Sequence, residues 1–320
     1  MKNLAITTPI LGTIRLGDIA TNAAGKRFPV RCNHFKITGQ YKDKDGRWVE
    51  HPIHAKIAKK LDVEKDKLTE IPVRLMYNKP ELNMRARYEA FDRTGRIVCA
   101  GDGENARRAD GKTIAKVPCP GAEHCEFGIK AKCDMFARLN VQIEGQNDDF
   151  SAFILRTESV NSVKTLTAKM GRMHAMFGNR LTGIPFVLKL RQKASSMSCW
   201  SNFYYVDLML PDGMSPKDAL KLAKKHEEDQ LEVGLDQAAY EKVVELGLAN
   251  GAFEEGESEF DEIETFLLAR HEALTDVPEG DAPTATPLPE ADAAPTGLAG
   301  LRLMLEAATQ EVASEEAVAA

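Results

Sequence analysis

Between residues 10 and 40 apolar and polar positions alternate in short runs, and the runs predict paired strands: GTIRLGD, GKRFPV and NHFKITG, the last with Phe35, Ile37 and Gly39 on one face. KDKDGRW reads as a turn, and HPIHAKIAKKL puts Ile53, Ile57 and Leu61 at helical spacing. Strand patterning returns in TEIPVRLMYN, MRARYEAFD and, after Thr94-Gly95, RIVCAGDG, then again in ARLNVQIEG and SAFILRTES. SVNSVKTLTAKMGRMHAMFG predicts a second helix. Its stripe is Val160, Val163, Leu166, Met170 and Met173, and Ser159 or Asn161 supplies the cap. IPFVLKLRQKA and SNFYYVDLML are closing strands. The expected class is α+β: a mainly antiparallel β body with one or two packed helices and a cysteine-rich metal loop, followed by a small helical region and a disordered acidic tail.

After Pro211-Asp212-Gly213 the period becomes helical. Ser215-Pro216 is an N-cap followed by proline at the first helical position. Helices are expected at 215–231, 235–249 and 258–274, with Tyr240, Val243, Val244 and Leu248 forming one stripe and Phe260, Ile263, Phe266 and Leu267 another. The predicted organisation is a body over 1–210, with its metal-binding loop at 99–133, and an acidic helical region over 211–275. A Pro/Ala/acid-rich linker follows over 276–297. An amphipathic tail helix over 298–320 places Leu298, Leu301, Leu305 and Ala308 on one face.

Charge sharpens this division. Residues 211–320 hold 26 Asp and Glu against 7 Lys and Arg, whereas the first 210 hold 22 against 35. A basic body therefore carries an acidic extension, an asymmetry that suits contact with a polyanion or an acidic protein face. The N-terminal apolar run is short, is broken by Pro9 and lacks a cleavage site, so no signal peptide is expected. No apolar stretch approaches the roughly 20 residues of a membrane span. The expected location is the cytoplasm, without a membrane partner, and there clustered cysteines are metal ligands or reactive thiols more often than disulfides.

Three of the six cysteines fall in VPCPGAEHCEFGIKAKCDMF, residues 117–136. Cys119, Cys125 and Cys133, with Cys99 at the end of a predicted strand, make a set of four thiolates able to close a tetrahedral zinc site. His124 is an alternative fourth ligand, and an iron–sulfur cluster draws on the same kind of set. Pro118, Pro120, Gly121 and Gly128 let the backbone wrap, while Lys116, Lys130 and Lys132 offset thiolate charge. A closed set of four ligands leaves no place for an activated water, so the site reads as structural. Cys32 and Cys199, in strand-like sequence, are expected to be core residues. CAGDGENARR offers a Gly101-Asp102-Gly103 turn followed by Arg107 and Arg108, which together with the three lysines are candidate contacts for nucleic acid or a partner. His34, His51, His54 and His174 receive no role. No P-loop, nucleophile elbow, zincin motif or paired-carboxylate motif is present, so no catalytic residue is assigned and the chain is not expected to be an enzyme.

GTIRLGD, NHFKIT, VCAGDGENARR, VPCP through KCDMFARLNVQI, RTESVNSVKTL and RLTGIPFVLKL occur in this order. The series resembles the phage recombination directionality factor-like family of phages and integrative or conjugative elements, from about residue 10 to 208. The resemblance implies a metal-binding accessory protein with Cys99, Cys119, Cys125 and Cys133 as ligands. Founding members bind a large serine integrase and switch it from integration to excision. Two other readings remain. A DNA-binding or annealing accessory of a recombination module would use the basic body and stack bases on aromatics such as Trp48, Trp200, Phe203, Tyr204 and Tyr205. A metal-dependent hydrolase would need an open site and a carboxylate such as Glu123 or Asp134.

Overall fold

The computed structural model describes residues 5–21, 27–92, 95–111, 113–194 and 202–253. The helix expected at 258–274, the linker, the tail helix, Trp200 and Cys199 lie outside the described residues. Among the described residues twelve strands form one branched sheet. They are β1 (Ile10–Thr21), β2 (Arg27–Lys42), β3 (Trp48–Glu50), β4 (Glu70–Arg74), β5 (Met84–Phe91), β6 (Ile97–Gly101), β7 (Asn105–Ala109), β8 (Ile114–Pro118), β9 (Asp134–Ile143), β10 (Ala152–Thr157), β11 (Pro185–Lys193) and β12 (Phe203–Met209). Helices α1 (Pro52–Lys60), α2 (Pro80–Asn83), α3 (Glu126–Lys130), α4 (Val160–Met176), α5 (Pro216–Glu232) and α6 (Gln237–Asn250) are interspersed.

The main path runs β3-β2-β1-β10-β9-β5-β6-β7-β8, and every pair in it is antiparallel except β1 with β10. β9 pairs with β5 as far as Leu139, then with β4 at Gln142 and Ile143. There the sheet forks into β4-β11-β12. The branch curls back, since the Phe35 amide of β2 donates to the Leu68 carbonyl just before β4. The main core fills this fold: Ile14, Phe35, Ile37, Leu139, Phe153 and Leu155 from one sheet face, Phe186, Leu188, Val206 and Leu208 from the branch, and Val163, Leu166 and Met170 from α4.

Four turns share one local device. Asp43, Asp92, Asp102 and Asp110 each turn a carboxylate oxygen onto backbone amides two to four residues ahead, and a glycine in each turn adopts positive φ. The helix starts also follow local chemistry. Ser159 caps α4 by accepting the Ser162 amide, so the cap is Ser159 rather than Asn161, and Ser215 caps α5. The ends of the predicted stripes differ from expectation. Val160 is exposed at the first helical residue, and Leu61 is the exposed C-cap of α1, whose packed face is Ile53, His54, Ile57 and Ala58. Val243 points outward on α6, whose packed face is Tyr240, Val244 and Leu248.

The charge boundary near residue 211 is not a packing boundary. Ala219 and Ala223 of α5 belong to the main core, and the described residues all fall within one compact unit. α6 is clamped to the 76–83 loop: Glu241 accepts the Asn78 amide at 2.6 Å, and Gln237 donates to the Met76 carbonyl at 3.0 Å. Buried Asn83 shapes that loop by accepting from Met76 and Tyr77 amides and donating to the Tyr77 and Lys79 carbonyls.

Candidate metal centre

The stretch expected to be a loop is a small folded knuckle. β7 and β8, missed because NARRA and IAKVP carry few apolar residues, extend the sheet edge beyond β6. Cys99 sits within β6, opposite Ala90 of β5 and Arg108 of β7. Cys119 directly follows β8, its amide donating to the Glu104 carbonyl at 2.8 Å. Its sulfur lies against Gly101: a Cβ there would stand 2.5 Å from Sγ, so only glycine admits it. Cys125 caps α3, its sulfur accepting the Gly128 amide at 3.3 Å. Gly128 is wedged between two cysteines, since a Cβ there would meet the Cβ atoms of Cys125 and Cys133 at 3.1 and 3.2 Å. The Cys133 amide then closes the knuckle on the Gly128 carbonyl at 2.7 Å. Cys99 and Cys119 are buried with Ala90 and Ala106, and Tyr88, Val117, Phe127 and Cys133 pack around them. This small apolar cluster is separate from the main core.

Arg108 dominates the electrostatics here. Its guanidinium stacks 4.0 Å from the Phe127 ring centre, Nη2 donates to Cys125 Sγ at 3.5 Å, and its buried Nε makes no hydrogen bond. Burial pushes the Cys99 thiol above its ordinary pKa, Arg108 draws it back down, and Cys119 and Cys125 push it up. Cys119 and Cys125 are thus both within electrostatic reach of Cys99. The donor set is that of a soft metal site, and four thiolates on a dication would leave excess negative charge for Arg108 to offset. By donor chemistry the residues suit such an ion. Among the described residues, however, no three His, Cys, Asp or Glu side chains are arranged closely enough to hold one, so the thiols do not close around a common point. His124 is exposed on the turn before Cys125, outside the apolar cluster, which takes in Cys99 instead.

Over residues 11–211 the chain matches the Gp3-like family, described as recombination directionality factor-like. The chain belongs to this family. No curated protein and no solved structure matches it. Family membership carries a role as an accessory factor of recombination, and the family is not a known class of enzymes. The matched region holds Cys99, Cys119, Cys125 and Cys133 and ends before α5.

Several residues read as candidate contacts have internal work instead. Arg107 donates to the Gly251 carbonyl beyond α6, and Arg108 is committed to Phe127 and Cys125. Lys116 and Lys130 are exposed, and Lys132 is half-buried at positive φ. The Gly-Asp-Gly turn is a turn: Asp102 accepts the Glu104 and Asn105 amides. Trp48 is half-buried with Arg15 and Lys42 over its ring at 4.3 and 4.8 Å, so that face is already covered. Phe203 and Tyr205 are half-buried and Tyr204 is partly exposed. Cys32 is half-buried in β2 rather than a core residue. His51 caps α1. His54 is buried, accepting the Ile37 amide at Nδ1 with Nε2 against the Lys65 carbonyl.

Part of the positive charge is interior, which sequence patterning did not show. Arg15 lies opposite Lys36, and Arg138 lies between Arg156 and Arg85 in adjacent strands. Arg15, Arg138 and Arg156 are buried. Glu89 meets Arg138 with two parallel hydrogen bonds of 2.8 Å. Among the described residues no helix is long and apolar enough to cross a membrane.

Proposed function

We propose that this chain is a directionality-factor-like regulator of mobile-element recombination. It acts in the cytoplasm by binding a large serine integrase, or that integrase on its DNA. Zinc held by Cys99, Cys119, Cys125 and Cys133 staples the β6–β8 hairpins to α3. The observation that supports this reading is the packing of Cys99, Cys119 and Cys133 into a small core of their own inside the family region, with Cys125 held beside it by Gly128 and Arg108. So few apolar side chains cannot hold a multi-stranded edge, whereas structural zinc contributes roughly 10–16 kcal/mol in small zinc-binding peptides. The metal would supply a cross-link, Arg108 would balance its thiolate charge, and exposed Lys116 and Lys130 would face the partner. Glu123 and Asp134, which a hydrolase would need beside the metal, are exposed and lie outside the cysteine cluster.

Affinity capture of the tagged full-length protein from its host tests the partner. Recovery of a serine integrase, followed by stimulated excision in a purified assay, is the expected result. Recovery of annealing or single-strand-binding proteins without an integrase overturns it in favour of the annealing role. Elemental analysis tests the metal. Cys125→Ser should release zinc and lower the melting temperature sharply; unchanged metal content and melting temperature would sink the structural-metal claim.

A further inference from the structure

We infer that the outer edge of β8 is a docking strand for an extended, acidic segment of the partner protein, which joins the sheet as a further strand. This deepens the reading of the chain as a partner-binding regulator and rests on it. β8 ends the main path of the sheet and pairs only with β7 among the described residues. In an antiparallel ladder bonded and non-bonded pairs alternate. The Cys119 amide donates to the Glu104 carbonyl and the Asp110 amide to the Thr113 carbonyl, with Asn105 opposite Pro118. The bonded pairs are therefore 104 with 119, 106 with 117, 108 with 115 and 110 with 113. Ile114 and Lys116 turn their N–H and C=O groups away from β7, and Pro118, next in that set, has no N–H. Residues 113–116 are all exposed, Ile114 by 44%. Other ends of the sheet are closed: β3 is three residues long, and on β12 the Val206 amide donates to Ser162 Oγ of α4 at 3.0 Å.

The side chains of β8 select the occupant. Val117 packs into the cysteine cluster, so strand alternation puts Ile114 and Lys116 on the opposite face. Lys116 stands across from Arg107 and makes no ion pair among the described residues. A second copy of the chain is a poor occupant. Matching Ile114 and Lys116 of one copy to Lys116 and Ile114 of another sets the two lysines diagonally across the seam. The neighbouring register sets them face to face, and like charges there repel. A DNA backbone brings phosphate acceptors but no row of donors for the Ile114 and Lys116 carbonyls. An extended polypeptide meets every need: its backbone pairs with both residues, a carboxylate opposite Lys116 offsets the charge, and an apolar side chain two positions away covers Ile114.

Amide exchange followed by NMR on the full-length protein, alone and with purified serine integrase, tests this. In the free chain the Ile114 and Lys116 amides should exchange fast, while those of Ala115 and Val117, bonded to β7, exchange slowly. Integrase should slow exchange at 114 and 116 by about tenfold or more. Lys116→Pro removes the charge and one outward N–H, and should weaken integrase binding about tenfold. Lys116→Gln removes the charge but keeps the N–H, and should weaken it only about threefold. If Lys116→Pro lowers the melting temperature, Ile114→Pro removes the other outward N–H. Unaltered affinity in the proline variants, or slow exchange at 114 and 116 in the free chain, would overturn the inference and leave the integrase reading standing. Failure of the unaltered chain to bind integrase would overturn both. Protection that appears only as the free chain is concentrated would overturn the inference by making a second copy the occupant.

Discussion

Glu89→Gln should be among the most damaging single-atom changes in this protein. Glu89 is 0% and Arg138 5% exposed, and both guanidinium nitrogens donate to the carboxylate at 2.8 Å. The glutamine amide keeps one acceptor and presents a donor to the second guanidinium N–H. Arg138 then loses the full counter-charge of Glu89 while standing in register with Arg85 and Arg156, its guanidinium 4.6 Å from the Phe136 ring centre. Breaking one side of a buried pair costs roughly 3–5 kcal/mol, a large fraction of an ordinary 5–15 kcal/mol stability. In a unit of this size each kcal/mol moves the melting temperature by roughly 2–4 °C, so the expected fall is roughly 6–20 °C. Urea unfolding followed by circular dichroism, with thermal melts alongside, measures it. Glu89→Gln with Arg138→Met should recover part of the loss, because an apolar replacement removes the buried charge that Glu89 balanced. A single-variant loss below about 1 kcal/mol with an unchanged m-value would show that the pair is well hydrated and refute the reasoning.

Gly101→Ala probes the cysteine cluster without touching a sulfur. The new methyl would lie 2.5 Å from Cys119 Sγ and 2.9 Å from Ala106 Cβ, so about 1–3 kcal/mol of overpacking is expected. Zinc content should fall if Cys119 is a ligand; unchanged stability would mean that Cys119 has room to move. Acid should also destabilise the fold. Burial holds His51, His54 and His226 below the ordinary histidine value of 6.5, with Lys56 adding to the effect on His51 and Arg74 on His226. The unfolded chain therefore binds more protons below pH 6.5. This stability is fully present above that pH and is lost as pH falls through the lower folded-state values. Melting temperatures from about pH 7.5 to 5.5 check this, and a flat profile would contradict it.

Much of the architecture was legible in local chemistry. Asp and Gly at the turns, Ser159 and Ser215 at helix starts, and period-two patterning located most strands, because each depends on residues a few positions apart. The cysteine cluster was legible from composition and spacing. Residues at stripe ends, such as Leu61, Val160 and Val243, were misread because periodicity says which face a residue shares but not how far the covering partner extends.

By itself, then, the sequence determined the α+β class, the turn and cap positions, the family and the four candidate ligands. Tertiary structure alone decided which charges are inside. Arg15, Arg138 and Arg156 look like surface cations in a basic body, yet strand pairing aligns and buries them, with Glu89 brought to Arg138 from 49 positions away. Arg107 and Arg108 are neighbours in the chain, but strand alternation sends one to the end of α6 and the other into the cysteine cluster. Burial and pairing are set by contacts between distant segments, and no local pattern encodes them.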